Sequence, residues 1–293
     1  MADNFFEACL KRAPVVAGPI ADFTDSPFRR VLRSFSNCLV YTEMISGHGL
    51  SQRNESSLKY AFFKNEERPI VHQIFGSLPE RMAEAARVLA SNGAEAIDIN
   101  MGCPQHRLAR HGEGAALMND FEKAAAIVSK VKDVTGLPVS VKIRAGYDYA
   151  SVIAGKSAQK IAPVLENAGA DMIVVHPRLK IQMFSGLPDH SVTLAVRKAV
   201  DIPVVANGNL DNVLLAKKVW QEMRDVSESK GLGKAAAELW SREASEVIRY
   251  CRRIQRESLP PNLQPEKREF LQQARLYLPE IRKIHSTTLK ICF

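Results

Sequence analysis

The sequence predicts an α/β fold: a (β/α)₈ barrel of the TIM type followed by a small helical C-terminal region. Three observations carry this. One grammar, a short apolar run, a polar turn and then a helical pattern, recurs seven times in order along the chain. The apolar runs are nearly continuous, as in parallel strands covered on both faces. Almost every run ends in a polar side chain, and in a barrel those ends share one rim. No Gly-rich dinucleotide fingerprint follows the first strand, which argues against an open, doubly wound sheet.

The elements follow in order. Residues 14–20 (PVVAGPI) form a first strand and turn, and Asp25 or Ser26 caps a helix with Pro27 at its first position. Residues 39–44 and 69–76 are the second and third strands. Residues 79–91 carry Met82, Ala85, Ala86 and Leu89 at helical spacing. The fourth strand lies in 96–104 (AIDINMGCP), and 120–134 is a helix with Phe121, Ala124, Ala125, Val128 and Val131 on one face. Residues 138–146 are the fifth strand, with 161–167 in its return helix; 171–176 are the sixth, followed by a helix over 191–200. Residues 203–208 are the seventh strand, and a helix over 213–222 follows it. No eighth strand is recognisable: 223–234 is polar and has no β-branched run. From Ala235 the pattern is helical, with a break at 259–262 and a last helix over about 265–284.

Composition bounds the class. A chain of 293 residues, 46% hydrophobic and 25% charged, has room for one barrel and a small accessory unit. No stretch is long and apolar enough to cross a bilayer, and the first residues lack the basic and apolar regions of a signal peptide, so a cytoplasmic address is expected. Five scattered cysteines without a CxxC pair argue against a disulfide framework and against a metal site. A monomer is expected. The net charge of +8 suits a polyanionic partner, and its placement matters more than its size. Arg249, Arg252, Arg253, Arg256, Lys267 and Arg268 make the C-terminal region basic, which reads either as a solvated helical face or as a phosphate-contacting surface.

The strand ends gather a set with chemical sense: Pro19 and Ile20, Gln73, Asn100 with Cys103, Lys142 with Arg144, His176 with Arg178, and Asn207 with Gly208. Any one alone reads as a satisfied structural group. In succession they converge on one mouth, where barrel packing would favour branched apolar residues. A carboxamide (Gln73) and a cation (Lys142) suit the edge of a redox-active ring, and His176, Asn207 and the Gly208 amide suit a phosphate. Cys103, bracketed by Gly102 and Pro104, is either a proton donor or nucleophile at the rim or a small apolar filler. Arg107, Arg110 and His111 on the following loop face either substrate phosphates or solvent.

These pieces, in this order, resemble the dihydrouridine synthase family of flavin-dependent tRNA-modifying enzymes. The resemblance rests on AGPI with DSPFR, VHQIFG, INMGCP with GEGAALM, VKIRAG, VHPR and PVVANGN, and spans roughly residues 13–220. It implies an FMN-bound barrel over residues 1–222 and a basic, helical, tRNA-binding region over 223–293. The implied reaction reduces the 5,6 double bond of selected uridines in tRNA, with hydride from reduced FMN to C6, a proton from Cys103 to C5, and NADPH as reductant. Gln73 and Lys142 would hold the ring edge, Asn100 would position flavin or uracil, and His176, Asn207 and Gly208 would follow the ribityl-phosphate arm, with Pro19 and Ile20 beside the cofactor. Arg107, Arg144 and Arg178 would meet tRNA.

The chain departs from the family at several points. The Gly-Arg-Gly type turn after the eighth strand has no counterpart, Asn209 stands where Asp is usual, Pro177 follows His176 where Gly is common, and Leu179 replaces a usual Thr. Three accounts are open: a closing strand near 223–226 or near the C-terminus, a product of deletion or frame-shift, or an RNA-binding role without flavin. The alternatives to an active flavoenzyme are therefore a flavin-free RNA-binding homologue and, on the same barrel, a small-molecule pyrimidine flavin oxidoreductase.

Overall fold

A strand places successive side chains on opposite faces, so a parallel strand between helices and a barrel lumen must be apolar on one face and fit the lumen on the other. The computed structural model describes residues 4–34, 36–210, 213–229 and 291–292, and its strands follow that rule. In chain order the elements are α1 (Phe5–Arg12), β1 (Val16–Ala17), α2 (Ser26–Arg33), β2 (Leu39–Tyr41), β3 (Ile45–Ser46), α3 (Gly47–Ser51) and α4 (Glu55–Ala61). Then come β4 (Ile70–Phe75), α5 (Pro79–Ser91), β5 (Ala96–Met101), α6 (His106–Arg110), α7 (Phe121–Thr135), β6 (Val139–Gly146), α8 (Tyr149–Ile153) and α9 (Ala158–Asn167). The described chain ends with β7 (Met172–Leu179), α10 (His190–Ala199), β8 (Val204–Ala206), α11 (Val213–Ser229) and β9 (Ile291–Cys292).

Strands β1, β2, β4, β5, β6, β7 and β8 pair in parallel in that order, which is the wall of a TIM-type barrel, and β3 adds a short parallel pair to the end of β4. The seven sequence-predicted strands are these seven. β3 went unrecognised because two residues carry no periodicity. The expected end of the helix over 213–222 moves: α11 runs without a break through Met223 to Ser229. That corrects one account of the missing eighth strand, because 223–226 is helical. At the other candidate place, β9 lies antiparallel against β1, with Val16 opposite Cys292. The helices expected from Ala235 onward, with the basic residues they carry, lie outside the described residues.

Two cores result from the alternation. One face of the strands (Val40, Ile70, Ile74, Ile97, Ile99, Val141, Ile143, Ile173, Val175) packs with α5, α7, α9 and α10. The other face fills the lumen with Val16, Leu39, Tyr41, Val71, Ala96, Met172, Val174 and Val205. Helix α1 closes the N-terminal end of this lumen: Phe6 is fully buried there with Cys9, and the Asn4 carboxamide donates to the Asp171 carbonyl at 2.9 Å. Burial of a Phe side chain stabilises by about 1.5–3 kcal/mol, enough to seat an eight-residue helix that would not form alone. The lumen is thus apolar at its lower end, and the polar side chains of the same faces are left to the upper end.

The β1–β4 side is held by a buried ion pair. Arg29 of α2 is 2% exposed and Glu67 0%. Glu67 accepts from Arg29 Nε at 2.7 Å, from the Ser26 hydroxyl at 2.5 Å and from Lys64 N at 2.9 Å, while the Arg29 guanidinium also donates to the Thr24 and Phe62 carbonyls. Removing one member strands the other in a dry site. Chemical denaturation should show Arg29→Ala destabilised by about 3–5 kcal/mol, with a shifted midpoint and unchanged slope. A loss below about 1 kcal/mol would mean that the pair is solvated.

Candidate active site

The upper end of the lumen collects the inward residues at the C-terminal ends of the strands: Gln73 on β4, Asp98 and Asn100 on β5, Ser140, Lys142 and Arg144 on β6, and His176 and Arg178 on β7, with Asn207 just past β8. Their side-by-side placement follows from register, since Gln73 pairs with Asp98, Asp98 with Ser140, Asn100 with Lys142 and Arg144 with His176.

A directed chain of hydrogen bonds runs through this layer. Asn100 Oδ1 accepts from Gly102 N at 3.1 Å and from Cys103 N at 2.8 Å. Backbone N–H groups only donate, so this fixes the Asn100 amide, whose Nδ2 then donates to Gln73 Oε1 at 3.0 Å. Gln73 Nε2 in turn donates to Asp98 Oδ2 at 2.6 Å, and the Ser140 hydroxyl donates to Asp98 Oδ1 at 2.5 Å. Asp98 is 0% exposed. Burial pushes its pKa up to about 7, against the pull of Ser140, Gln73 and the Lys142 charge.

The turn carrying Cys103 is held from three sides: by Asn100, by Arg144 Nε donating to the Gly102 carbonyl at 2.8 Å, and by Ala115 N donating to the Cys103 carbonyl at 3.0 Å. Gly114, at φ +58, packs so closely beneath that a Cβ would sit 2.8 Å from the Cys103 carbonyl oxygen. The thiol is half-buried. Burial raises its pKa, only partly opposed by the Gln105 N–H, Arg144 and Lys142. At neutral pH the group is a protonated thiol, able to give a proton rather than a thiolate primed for attack.

Across the mouth, Lys142 Nζ donates to Asn207 Oδ1 at 3.1 Å. Arg178 Nη1 donates to His176 Nε2 at 3.2 Å and to Asn209 Oδ1 at 3.0 Å, and Nη2 donates to the Gly186 carbonyl at 2.7 Å. An arginine cannot accept, so His176 Nε2 is the acceptor of that pair. Gly208, at φ +107, leaves a cradle that a side chain would fill, because a Cβ there would lie 2.9 Å from the His176 ring.

The structure therefore brings Gln73, Asn100, Cys103, Lys142, His176, Asn207 and Gly208 together, as the strand-end reading expects. Pro19 and Ile20 lie on the loop after β1, where Ile20 N donates to Thr24 Oγ1. Arg107 sits on the surface helix α6. Arg144 and Arg178, read from sequence as substrate contacts, are each 2% exposed and tie loop backbone: Arg144 also donates to the Leu179 and Met183 carbonyls at 3.0 and 2.8 Å. Asp98 and Ser140 were not singled out from sequence. The available signal was an Asp inside an apolar strand, two residues before Asn100 and so on the same face. Among the described residues no cluster of three metal-ligating side chains occurs, and no helix is long and apolar enough to cross a membrane.

A family model described as dihydrouridine synthase (Dus) matches residues 15–234. The chain is 36% identical over 225 residues to a probable tRNA-dihydrouridine synthase of Rhodobacter capsulatus, covering 76% of this chain and 68% of that protein. A probable tRNA-dihydrouridine synthase of Rickettsia conorii is 34% identical over 209 residues, covering 71% and 62%. The tRNA-dihydrouridine synthase B of Xanthomonas axonopodis pv. citri is 34% identical over 208 residues, covering 71% and 61%. The chain thus spans between 61% and 68% of the length of these relatives.

The cradle at Gly208 gives a test. Gly208→Ala places a side chain in the left-handed region and against His176, and should destabilise the protein by about 1–3 kcal/mol in thermal or urea unfolding. The control Gly155→Ala, at φ +85 with nothing within 4 Å of the added carbon, carries the backbone strain alone and should lose less.

Proposed function

The chain belongs to the dihydrouridine synthase family, and from that premise we propose that it reduces uridine in tRNA to 5,6-dihydrouridine at the mouth of its barrel, with FMN as cofactor and NADPH as reductant. The observation that carries this reading is the half-buried Cys103 thiol on the rim beside Lys142, its turn held by the Asn100 carboxamide.

The side chains present fit a flavin. Gln73 and Asn100 line one wall with carboxamides and Lys142 supplies a cation between them and Asn207, which suits the polar edge of an isoalloxazine ring. His176, Asn207 and the backbone at Gly208, which only a glycine lets approach the His176 ring so closely, suit an anionic arm with the buried Arg178 guanidinium behind them. An FMN held there and reduced by NADPH would supply hydride chemistry toward uracil C6.

The remaining work falls to the chain's own residues. Cys103 gives its thiol proton to C5 of the uracil and is reprotonated from solvent, its pKa held above the ordinary thiol range so that the acid form is present at neutral pH. Lys142 stabilises negative charge that builds at the ring edge. Asn100 holds the Cys103 turn still, its Oδ1 already bound by two N–H groups, so it acts on substrate through the turn. Arg144 clamps the far side of that turn to Leu179 at the end of β7 and to Met183 in the segment that follows. A uridine in folded tRNA must swing out of its stack to enter such a mouth. Arg107 on α6, the buried charges of Arg144 and Arg178, and the net charge of +8 favour the approach of a polyanion. The basic region over 223–293 is assigned to the same partner.

Purified protein should carry the yellow absorption of oxidised flavin. Cys103→Ala should keep that colour and lose about 10²–10⁴-fold in dihydrouridine formation, measured on tRNA by nucleoside mass spectrometry. Full activity in that variant would remove Cys103 as the acid. A colourless protein that FMN cannot reconstitute would favour the flavin-free RNA-binding alternative. For the wild type, the rate should fall on the alkaline side, as a thiol with a raised pKa loses its proton.

A further inference from the structure

Asp98 is the carboxylate at the centre of the buried layer described above, and neither the strand-end reading nor the proposed chemistry uses it. It touches neither the Cys103 turn nor the open mouth; it touches Gln73 and Ser140. Yet the polarity of the whole chain of hydrogen bonds ends on it. The N–H groups of Gly102 and Cys103 orient Asn100, Asn100 orients Gln73, and the outcome is a Gln73 –NH₂ that points into the protein interior and needs an acceptor. Only an oxygen at the Asp98 position supplies one. A Gln73 turned end for end would set its own –NH₂ against that of Asn100 and free the turn.

We propose that Asp98 is a positioning residue that fixes the Gln73 carboxamide and, through Asn100, the turn bearing Cys103, so that one buried carboxylate sets both the cofactor-edge contact and the thiol. The inference deepens the proposed function and rests on it for the cofactor arm alone. The groups facing Asp98 are Lys142 on β6, whose charge favours the carboxylate, and, through Ser140, the Tyr41 hydroxyl on β2, 3.5 Å from Ser140 Oγ. Neutral Asp98 can donate to Gln73 Oε1 instead of accepting from Nε2, which releases the orientation, and its raised pKa puts that change near neutrality.

The 293-residue chain and its variants D98N, D98A and Q73A decide it. The D98N side chain keeps an oxygen for Gln73 and presents an –NH₂ to Ser140, whereas D98A leaves Gln73 without an acceptor. In the flavin-free arm, iodoacetamide labelling of Cys103 followed by mass spectrometry should run about fivefold faster in D98A than in wild type, with D98N within about twofold. Equal rates in all three would overturn the inference. In the cofactor arm, fluorescence titration with FMN should show D98A binding about tenfold more weakly in the wild-type background, and about twofold or less in the Q73A background. Equal losses in both backgrounds would mean a merely structural role and would also overturn it.

Should D98A fail to fold, pH separates the roles. Between about pH 8 and pH 6, wild type should lose about tenfold more FMN affinity than D98N, which cannot titrate there. Parallel profiles would contradict the inference. A wild type that takes up no FMN would overturn the flavin reading of the mouth, while Cys103 labelling still decides the role of Asp98.

Discussion

Two backbone N–H groups, those of Gly102 and Cys103, leave the end of β5 pointing into the lumen, and both need an acceptor. Asn100 Oδ1 is that acceptor, and its choice constrains the layer beneath it. Each amide in turn is forced into one orientation, until the last –NH₂ requires an acceptor oxygen, which the Asp98 carboxylate supplies in a site with no exposure. Burying an unpaired carboxylate costs several kcal/mol, and the site offsets this with two short hydrogen bonds and the Lys142 charge nearby. Satisfied at every member, such a network specifies one arrangement and holds it rigidly.

The same two-residue strand period divides the lumen into layers. Below lie Val16, Leu39, Val71, Ala96 and Met172, closed off by Phe6 of α1; above lies the amide and carboxylate layer; at the top lie Cys103 and the cations. The cations are fixed by carbonyls and neutral side chains: Arg144 by Gly102, Leu179 and Met183, and Arg178 by Gly186, Asn209 and His176. Burial brings the Arg144 pKa down to about 10, so it stays charged at neutral pH. The upper layer therefore keeps net positive potential, which suits a phosphate-bearing cofactor and a nucleic acid.

Much of this was legible in the sequence. The bounds of α5 follow from Pro79 and the spacing of Met82, Ala85, Ala86 and Leu89, all buried. The end of β5 followed from AIDINM and the Gly-Cys-Pro turn. Short elements were not legible: α1 and β3 carry too few residues for a period to show. The helical run through Ser229 leaves no apolar stripe in the sequence, because Arg224, Asp225 and Glu228 face solvent at least in part. Asp98 was hidden for a different reason. Its partners stand 25 and 42 residues away, so its role exists only once three strands are in register. The carbonyl partners of Arg144 and Arg178 are hidden likewise, since they are in place only once the loops fold over the strand ends.

The central claim is that a thiol, held by amides at the mouth of a flavin-binding barrel, serves the reduction of a nucleic-acid base. The measurement that tests it most directly is nucleoside mass spectrometry of unmodified tRNA incubated with the FMN-loaded protein and NADPH. The account predicts conversion of uridine to a nucleoside heavier by two hydrogens, dependent on both FMN and Cys103. An FMN-loaded protein that leaves every uridine mass unchanged under those conditions would contradict it.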